Sequence, residues 1–141
     1  MNNKVLILMS TYNGEDFLQE QLNSLKLQEG VEIHYLIRDD GSKDNTKQIL
    51  QSFSNNNLNV ELILGENIGC VQSFASLLKV AYKYCEYIDF FAFCDQDDIW
   101  LKQKLSMAIE KLKLFNLEKP TMYCSNLFLI DEKGKRIGEK Y

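Results

Sequence analysis

Residues 90–98 read Phe-Phe-Ala-Phe-Cys-Asp-Gln-Asp-Asp, so an apolar run is followed at once by three carboxylates and an amide. A short apolar run predicts a buried strand, with the acidic residues in the loop after it. At ~5 Å and an effective dielectric of ~20, each pair of aspartates repels by about 3 kcal/mol. A cation among the oxygens removes that repulsion, which makes residues 95–98 a candidate site for Mg²⁺ or Mn²⁺. The alternative is an acidic turn that caps a helix near Leu101.

The same succession of apolar run and polar loop occurs three times before residue 90. Strands are predicted at Val5–Met9, Ile33–Ile37 and Val60–Leu64. Apolar residues spaced three and four apart predict intervening helices over residues 17–25, 44–53, 74–85 and 101–112. A fifth strand is predicted over Met122–Ile130, with a hairpin turn at residues 131–134. The alternation predicts an α/β fold, with helices on the faces of a mostly parallel sheet.

The polar loops after the four strands are expected to meet at one edge. In an open parallel sheet, the loops at the carboxyl ends of the strands form the ligand site. The residues concerned are Ser10-Thr11-Tyr12-Asn13, Asp39-Asp40-Gly41-Ser42, Asn67 with Gly69, and Asp95-Gln96-Asp97-Asp98. This concentration of polar groups predicts a binding site there.

Composition narrows the class of protein. The 141 residues form one domain by length, and their net charge of −4 argues against nonspecific nucleic-acid binding. The chain has no apolar run long enough to cross a bilayer, so we expect membrane contact to be peripheral at most. The four cysteines form no CxxC pair, and Cys85, Cys94 and Cys124 fall in segments predicted to be buried. These features predict a cytoplasmic location, which includes the inner face of the cell membrane.

The four loops, in this order and spacing, resemble those of the inverting GT-A glycosyltransferases of family 2. The resemblance covers residues 4 to about 130. It implies a Rossmann-like, three-layer α/β/α fold, truncated here on its C-terminal side, with residues 1–141 as the nucleotide-sugar-binding part of an incomplete domain. The segments Asp-Gln-Asp-Asp-Ile-Trp, Tyr-Cys-Ser-Asn and Ile-Asp-Glu-Lys-Gly look similar to bacterial rhamnosyltransferases.

The resemblance also implies roles for individual residues. Ser10, Thr11 and Tyr12 would line the pocket for base and ribose, and Asp40 would accept the N3–H of uracil or thymine. Asp95 would contact the ribose or sugar, Asp97 would bind Mn²⁺ or Mg²⁺, and Asp98 would extend the motif towards the metal or the acceptor. Asn67 would lie near the nucleotide. Trp100 is expected to pack over the helix start rather than to bind acceptor.

The implied reaction transfers a sugar from a UDP or dTDP donor, dTDP-rhamnose among them, to a hydroxyl of a glycan or lipid-linked saccharide. The general base of the family lies beyond the hairpin, so we expect it outside this chain. A non-catalytic nucleotide-binding or regulatory domain with the same fold remains the alternative. A dinucleotide-dependent oxidoreductase is disfavoured, because no G-x-G-x-x-G follows the first strand.

Overall fold

The computed structural model describes residues 2–115, 118–131 and 134–140. The chain divides after Ser106 into two compact units. The first contains four strands, β1 (Asn3–Thr11), β2 (Val31–Asp39), β3 (Val60–Leu64) and β4 (Phe90–Cys94). They form one parallel sheet in the order β3-β2-β1-β4, which confirms the predicted α/β class.

Helices cover both faces of this sheet. Tyr35 of β2 packs edge-on against Phe53 of α2 (Thr46–Asn55), and α2 contacts α1 (Leu18–Lys26). On the opposite face, Leu6, Leu8 and Leu36 form a core cluster with Leu77 and Ala81 of α3 (Cys70–Ala81). Alternate residues of a strand point to opposite faces, so β1 can be buried along Val5–Met9 by both layers. The three-layer α/β/α prediction is confirmed.

The helix predicted over residues 74–85 is displaced in the structure. It begins at Cys70 and gives way to a 3-10 turn at Tyr82–Tyr84. The tighter 3-10 period turns side chains away from the face that α3 presents to the sheet. Tyr82 and Cys85 are therefore exposed, and the predicted burial of Cys85 was wrong.

The fourth helix, α4 (Lys104–Leu112), begins three residues later than predicted. Beyond Ser106, the second unit also contains an antiparallel hairpin of β5 (Leu127–Ile130) and β6 (Arg136–Lys140). Residues 121–126 have no strand opposite them in the described part of the chain, so the predicted fifth strand is shorter than expected. Cys124 lies in that stretch and is exposed, which contradicts its predicted burial, whereas Cys94 is buried. Residues 132 and 133 of the predicted turn lie outside the described residues.

Within the described residues, no helix is long and apolar enough to cross a bilayer.

Candidate functional site

An open cavity of about 540 Å³ lies at the carboxyl edge of the sheet. The chain runs outward from β1 through β2 to β3 and then crosses to β4 on the other side of β1, so this edge contains the topological switch point. Asp98 is not part of the cavity wall. The wall consists of Ser10, Thr11, Tyr12, Asp40, Asn67, Gly69, Cys70, Phe74, Asp95, Gln96 and Asp97. The predicted nucleotide residues and Asp97 are thus brought together, and Asp98 is not.

Asp39 joins the ends of β1 and β2 beneath the cavity. Its carboxylate is fully buried and accepts hydrogen bonds from the Ser42 N–H at 3.0 Å, the Ser42 hydroxyl at 2.5 Å and the Thr11 hydroxyl at 3.2 Å. The Thr11 side chain is therefore turned into the protein, and Asp39 acts as an anchor for the turn. Gly41 follows with φ of 80°, and a Cβ there would lie 2.7 Å from Asn67 N, so glycine lets the two loops meet.

Asp40 holds the loop between β3 and α3. It is 2% exposed, and its Oδ1 accepts hydrogen bonds from Arg38 at 2.5 Å and from Ile68 N–H at 2.9 Å. Oδ2 accepts the Gly69 N–H at 2.9 Å. Burial by itself raises the pKa of Asp40, but hydrogen bonds from Ile68, Arg38 and Gly69 outweigh that effect and hold the pKa below the usual aspartate value. Asp40 is consequently an anion at neutral pH and can only accept hydrogen bonds.

Arg38 and Ser73 are two site residues that the sequence reasoning missed. Arg38 Nη1 donates to the Ser73 hydroxyl at 2.9 Å, and Nη2 donates to the carbonyl of Glu66 at 2.9 Å. The Ser10 hydroxyl donates to Ser73 at 2.6 Å. A Cβ at Gly65 would overlap Arg38 Nη2, so that glycine leaves room for the guanidinium. The sequence feature that could have identified Arg38 is a single arginine at the end of an apolar strand.

Gln96 links the acidic loop to the loop after β1. Tyr12 N–H donates to Gln96 Oε1 at 2.8 Å, and Gln96 Nε2 donates to the Tyr12 carbonyl at 3.1 Å. The Tyr12 side chain itself is 44% exposed at the cavity. An exposed aromatic ring at the mouth of a cavity is available to stack on a ligand.

The segment that follows the acidic residues is anchored by two buried polar side chains, Ser24 of α1 and Gln28 just after it. The Trp100 N–H donates to the Ser24 hydroxyl at 3.0 Å. Gln28 donates to the Leu101 carbonyl at 2.8 Å and accepts the Leu105 N–H at 3.1 Å, which caps the first turn of α4. Trp100 is buried, so the expectation that it packs is confirmed.

Among the residues that the structure describes, Asp95, Asp97 and Asp98 form no ion pair like that of Asp40 with Arg38. Burial, followed by repulsion from Asp98 and Asp97, raises the pKa of Asp95. Across residues 2–115, 118–131 and 134–140, no group of three or more histidine, cysteine, aspartate or glutamate side chains forms a ready metal site. Mg²⁺ and similar ions commonly use one or two carboxylates and take further oxygens from substrate phosphates. Asp95 and Asp97, both in the cavity wall, fit that type of site.

The family model of glycosyl transferase family 2 matches residues 6–135, which include every loop of this cavity. The chain belongs to glycosyl transferase family 2. Two relatives of this family 2 chain are bacterial transferases. A dTDP-rhamnosyl transferase, RfbG of Shigella flexneri, is 36% identical over 91% of the chain and 44% of its own length. A UDP-glucose-dependent β-1,3-glucosyltransferase, WfgD of Escherichia coli, is 32% identical over 80% of the chain and 42% of its own length.

Solved glycosyltransferases share the fold of this family 2 chain. TarS of Staphylococcus aureus, crystallised with UDP, superposes with a TM-score of 0.66 at 30% identity, over 79% of the chain and 32% of TarS. The mannosyltransferase PcManGT of Pyrobaculum calidifontis, in complex with GDP-mannose and Mn²⁺, superposes with a TM-score of 0.68 over 79% of the chain and 33% of its own length. At 19% identity this second likeness shows the fold alone. The chain spans less than half the length of each of these four proteins.

Proposed function

We propose that the chain is the donor-binding part of an inverting glycosyltransferase that uses a UDP- or dTDP-sugar. One observation carries the proposal. Seven residues expected to bind nucleotide and metal line a single cavity at the switch point of the sheet: Ser10, Thr11, Tyr12, Asp40, Asn67, Asp95 and Asp97. They come from the end of β1 and from the loops that follow β1, β2, β3 and β4, so their meeting is not a consequence of sequence proximity.

The nucleoside is proposed to bind between Tyr12 and the loop that Asp40 holds. The exposed Tyr12 ring provides a flat apolar surface for the base. Asp40 Oδ2 carries one hydrogen bond, from Gly69, so it retains acceptor capacity for the N3–H of uracil or thymine. An ionised acceptor suits a base that presents a donor at N3, which favours uracil and thymine over cytosine.

The diphosphate is proposed to bind beside the acidic segment. Asp97 would hold the divalent ion, Mn²⁺ or Mg²⁺, and Asp95 would contact the ribose or sugar. A divalent ion at this place supplies positive charge that stabilises the leaving diphosphate. Asp98 lies outside the cavity wall, so its proposed role is on the acceptor side.

In the proposed reaction an acceptor hydroxyl attacks the anomeric carbon opposite the nucleoside diphosphate. The new glycosidic bond forms as the bond to the diphosphate breaks, and the hydroxyl proton passes to a general base. We propose that residues outside these 141 supply that base, so the chain alone binds donor without transferring sugar efficiently.

The relatives suggest donors and acceptors. RfbG is named for dTDP-rhamnose, WfgD for UDP-glucose and a diphosphoundecaprenol-linked sugar, and TarS binds UDP in its crystal. We therefore propose pyrimidine nucleotide donors, with dTDP-rhamnose first to be tested, and a glycan or lipid-linked saccharide acceptor of cell-surface polysaccharide synthesis. The proposed location is the cytoplasm, at the inner face of the membrane for a lipid-linked acceptor.

Calorimetric titration with UDP, dTDP and GDP, each with and without Mn²⁺, tests the proposal. We expect UDP and dTDP to bind more tightly with Mn²⁺, GDP to bind weakly, and Asp97→Asn to remove the metal effect. The matched control is Asp89→Asn, which makes the same charge change just before β4, at the opposite end of that strand. Binding of UDP that is equal without Mn²⁺ and unchanged in Asp97→Asn would overturn the metal assignment.

A further inference from the structure

The Gln96 side chain extends the contact between two loops beyond the end of the sheet. Backbone pairing between β1 and β4 runs from Val5 opposite Phe90 to Met9 opposite Cys94, and there it stops. Tyr12 lies three residues beyond that last pair. The primary amide of Gln96 bonds both the N–H and the carbonyl of Tyr12, at 2.8 and 3.1 Å, as a residue on a neighbouring strand does.

Gly14 provides the space for this amide. A Cβ at Gly14 would lie 2.5 Å from Gln96 Oε1 and 2.6 Å from its Cδ. The backbone of Gly14 is not in the left-handed region, so an alanine there is restricted by Gln96 and not by its own backbone. Two positions, 14 and 96, therefore control one contact from opposite sides.

The contact lies between the two halves of the proposed donor site. On one side, Tyr12 offers its exposed ring to a nucleoside. On the other, Asp95 and Asp97 flank Gln96 in the chain and line the same cavity. Two hydrogen bonds from the Gln96 amide thus join residues 95–97 to the Tyr12 backbone.

We propose that Gln96 is a positioning residue that couples metal binding at Asp97 to nucleoside binding at Tyr12. The inference rests on the proposed function. Residues 95–97 would be ordered by a divalent ion held at Asp97, and the Gln96 amide would then hold the Tyr12 backbone where the base binds. Linkage makes the effect mutual, so nucleoside binding strengthens metal binding by the same factor.

Titration of UDP, with and without Mn²⁺, measures this coupling as the ratio of the two dissociation constants. We expect Mn²⁺ to tighten UDP binding to the wild type by about tenfold or more, within the usual range for coupled sites. Gln96→Ala and Gly14→Ala should each reduce that factor to about threefold or less, because both remove the same contact. The control is Gln51→Ala, an exposed position of α2, which should keep the wild-type factor.

The double variant Gly14→Ala/Gln96→Ala distinguishes a shared contact from two separate effects. Once the Gln96 side chain is gone, the methyl group at position 14 has nothing to displace. We expect the double variant to match Gln96→Ala, whereas additive losses would mean that Gly14 acts elsewhere and would overturn the inference.

Amide hydrogen exchange of the ligand-free protein gives a readout without metal. Exchange at Tyr12 should be faster in Gln96→Ala than in the wild type, while Leu8 in the centre of β1 should be unchanged. Equal exchange at Tyr12, or a wild-type coupling factor in Gln96→Ala, would overturn the inference and leave the proposed function standing. Failure of UDP to bind the wild type at all would overturn both.

Discussion

Arg38 and Asp40 form a buried ion pair beneath the proposed donor site, with Arg38 Nη1 donating to Asp40 Oδ1 at 2.5 Å. Their side chains are 7% and 3% exposed. The pair binds a single loop through both of its members, because Arg38 also bonds the Glu66 carbonyl while Asp40 accepts the N–H groups of Ile68 and Gly69. The segment between β3 and α3 is thereby held against the end of β2.

Loss of the arginine should destabilise the protein strongly. Arg38→Met leaves the Asp40 carboxylate buried without its cation, and removal of one partner of such a pair costs about 3–5 kcal/mol. The control is Lys83→Met, which removes the cation from the more exposed pair with Glu61 and should cost much less. Urea unfolding measures the free energy of unfolding of both variants. Equal losses would show that the buried Arg38–Asp40 pair stabilises the protein no more than the exposed Lys83–Glu61 pair.

Asp40→Asn should change the selectivity for the base. If Asp40 accepts the N3–H of uracil, we expect UDP binding to weaken by about tenfold or more. The affinity for CDP should fall less or should rise, because its N3 is an acceptor to which the asparagine amide can donate. Loosening of the loop at Ile68 and Gly69 weakens both nucleotides alike, so the ratio of their dissociation constants isolates the base contact. An unchanged ratio would limit Asp40 to holding the loop.

Gln28→Leu should loosen the segment after the acidic residues. It leaves the Leu101 carbonyl and the Leu105 N–H without the partner that Gln28 provides, and each unsatisfied buried group costs about 1–3 kcal/mol. We expect a comparable fall in the free energy of unfolding and faster hydrogen exchange at Leu105. Gln48→Ala on the exposed side of α2 is the control. Unchanged exchange at Leu105 would contradict the capping role of Gln28.

Thiol labelling should distinguish two cysteines near the site. Burial, opposed in part by the hydrogen bond from Gln21, raises the pKa of Cys94 to about 12, so its thiolate is scarce at pH 8. Cys70 is exposed in the cavity wall. We expect iodoacetamide to modify Cys70 and spare Cys94 in the native protein, and UDP with Mn²⁺ to slow modification of Cys70. Mass spectrometry of the peptides measures both. Absence of protection at Cys70, with UDP bound, would place the nucleotide elsewhere.

The strands of the first unit were predictable because their apolar runs are short and sharply bounded. Val60–Leu64 and Phe90–Cys94 are observed with the predicted limits. The prediction of a helix over residues 74–85 was less accurate, because the apolar pattern continues through Tyr82 and Cys85 while the backbone changes to a 3-10 turn. Burial of these two side chains depends on the direction in which that turn presents them, which periodicity does not specify.

The position of the site was predictable from the sequence, but the roles of the individual side chains within it were not. Thr11 was predicted to line the nucleotide pocket, yet its hydroxyl donates to Asp39 below the cavity. Arg38 and Ser73 fall just outside the predicted strand Ile33–Ile37 and the predicted helix over residues 74–85, yet they bond each other in the buried network of the site. Which hydrogen-bond partner a polar side chain finds depends on residues distant in the chain, and these meet only in the folded protein.

The acidic loop at residues 95–98 was predictable from the local sequence alone, because apolar residues followed by clustered carboxylates indicate the end of a strand and an anionic loop. Alternation of strand and helix determined the α/β class in the same way, because each element buries its own face. Tertiary structure decided which carboxylates share the cavity. The cavity wall includes Asp95 and Asp97 but not Asp98. The fold also joins Gln96 to Tyr12 across 84 positions of the chain. Those relationships depend on strand order and loop packing, which no local pattern encodes.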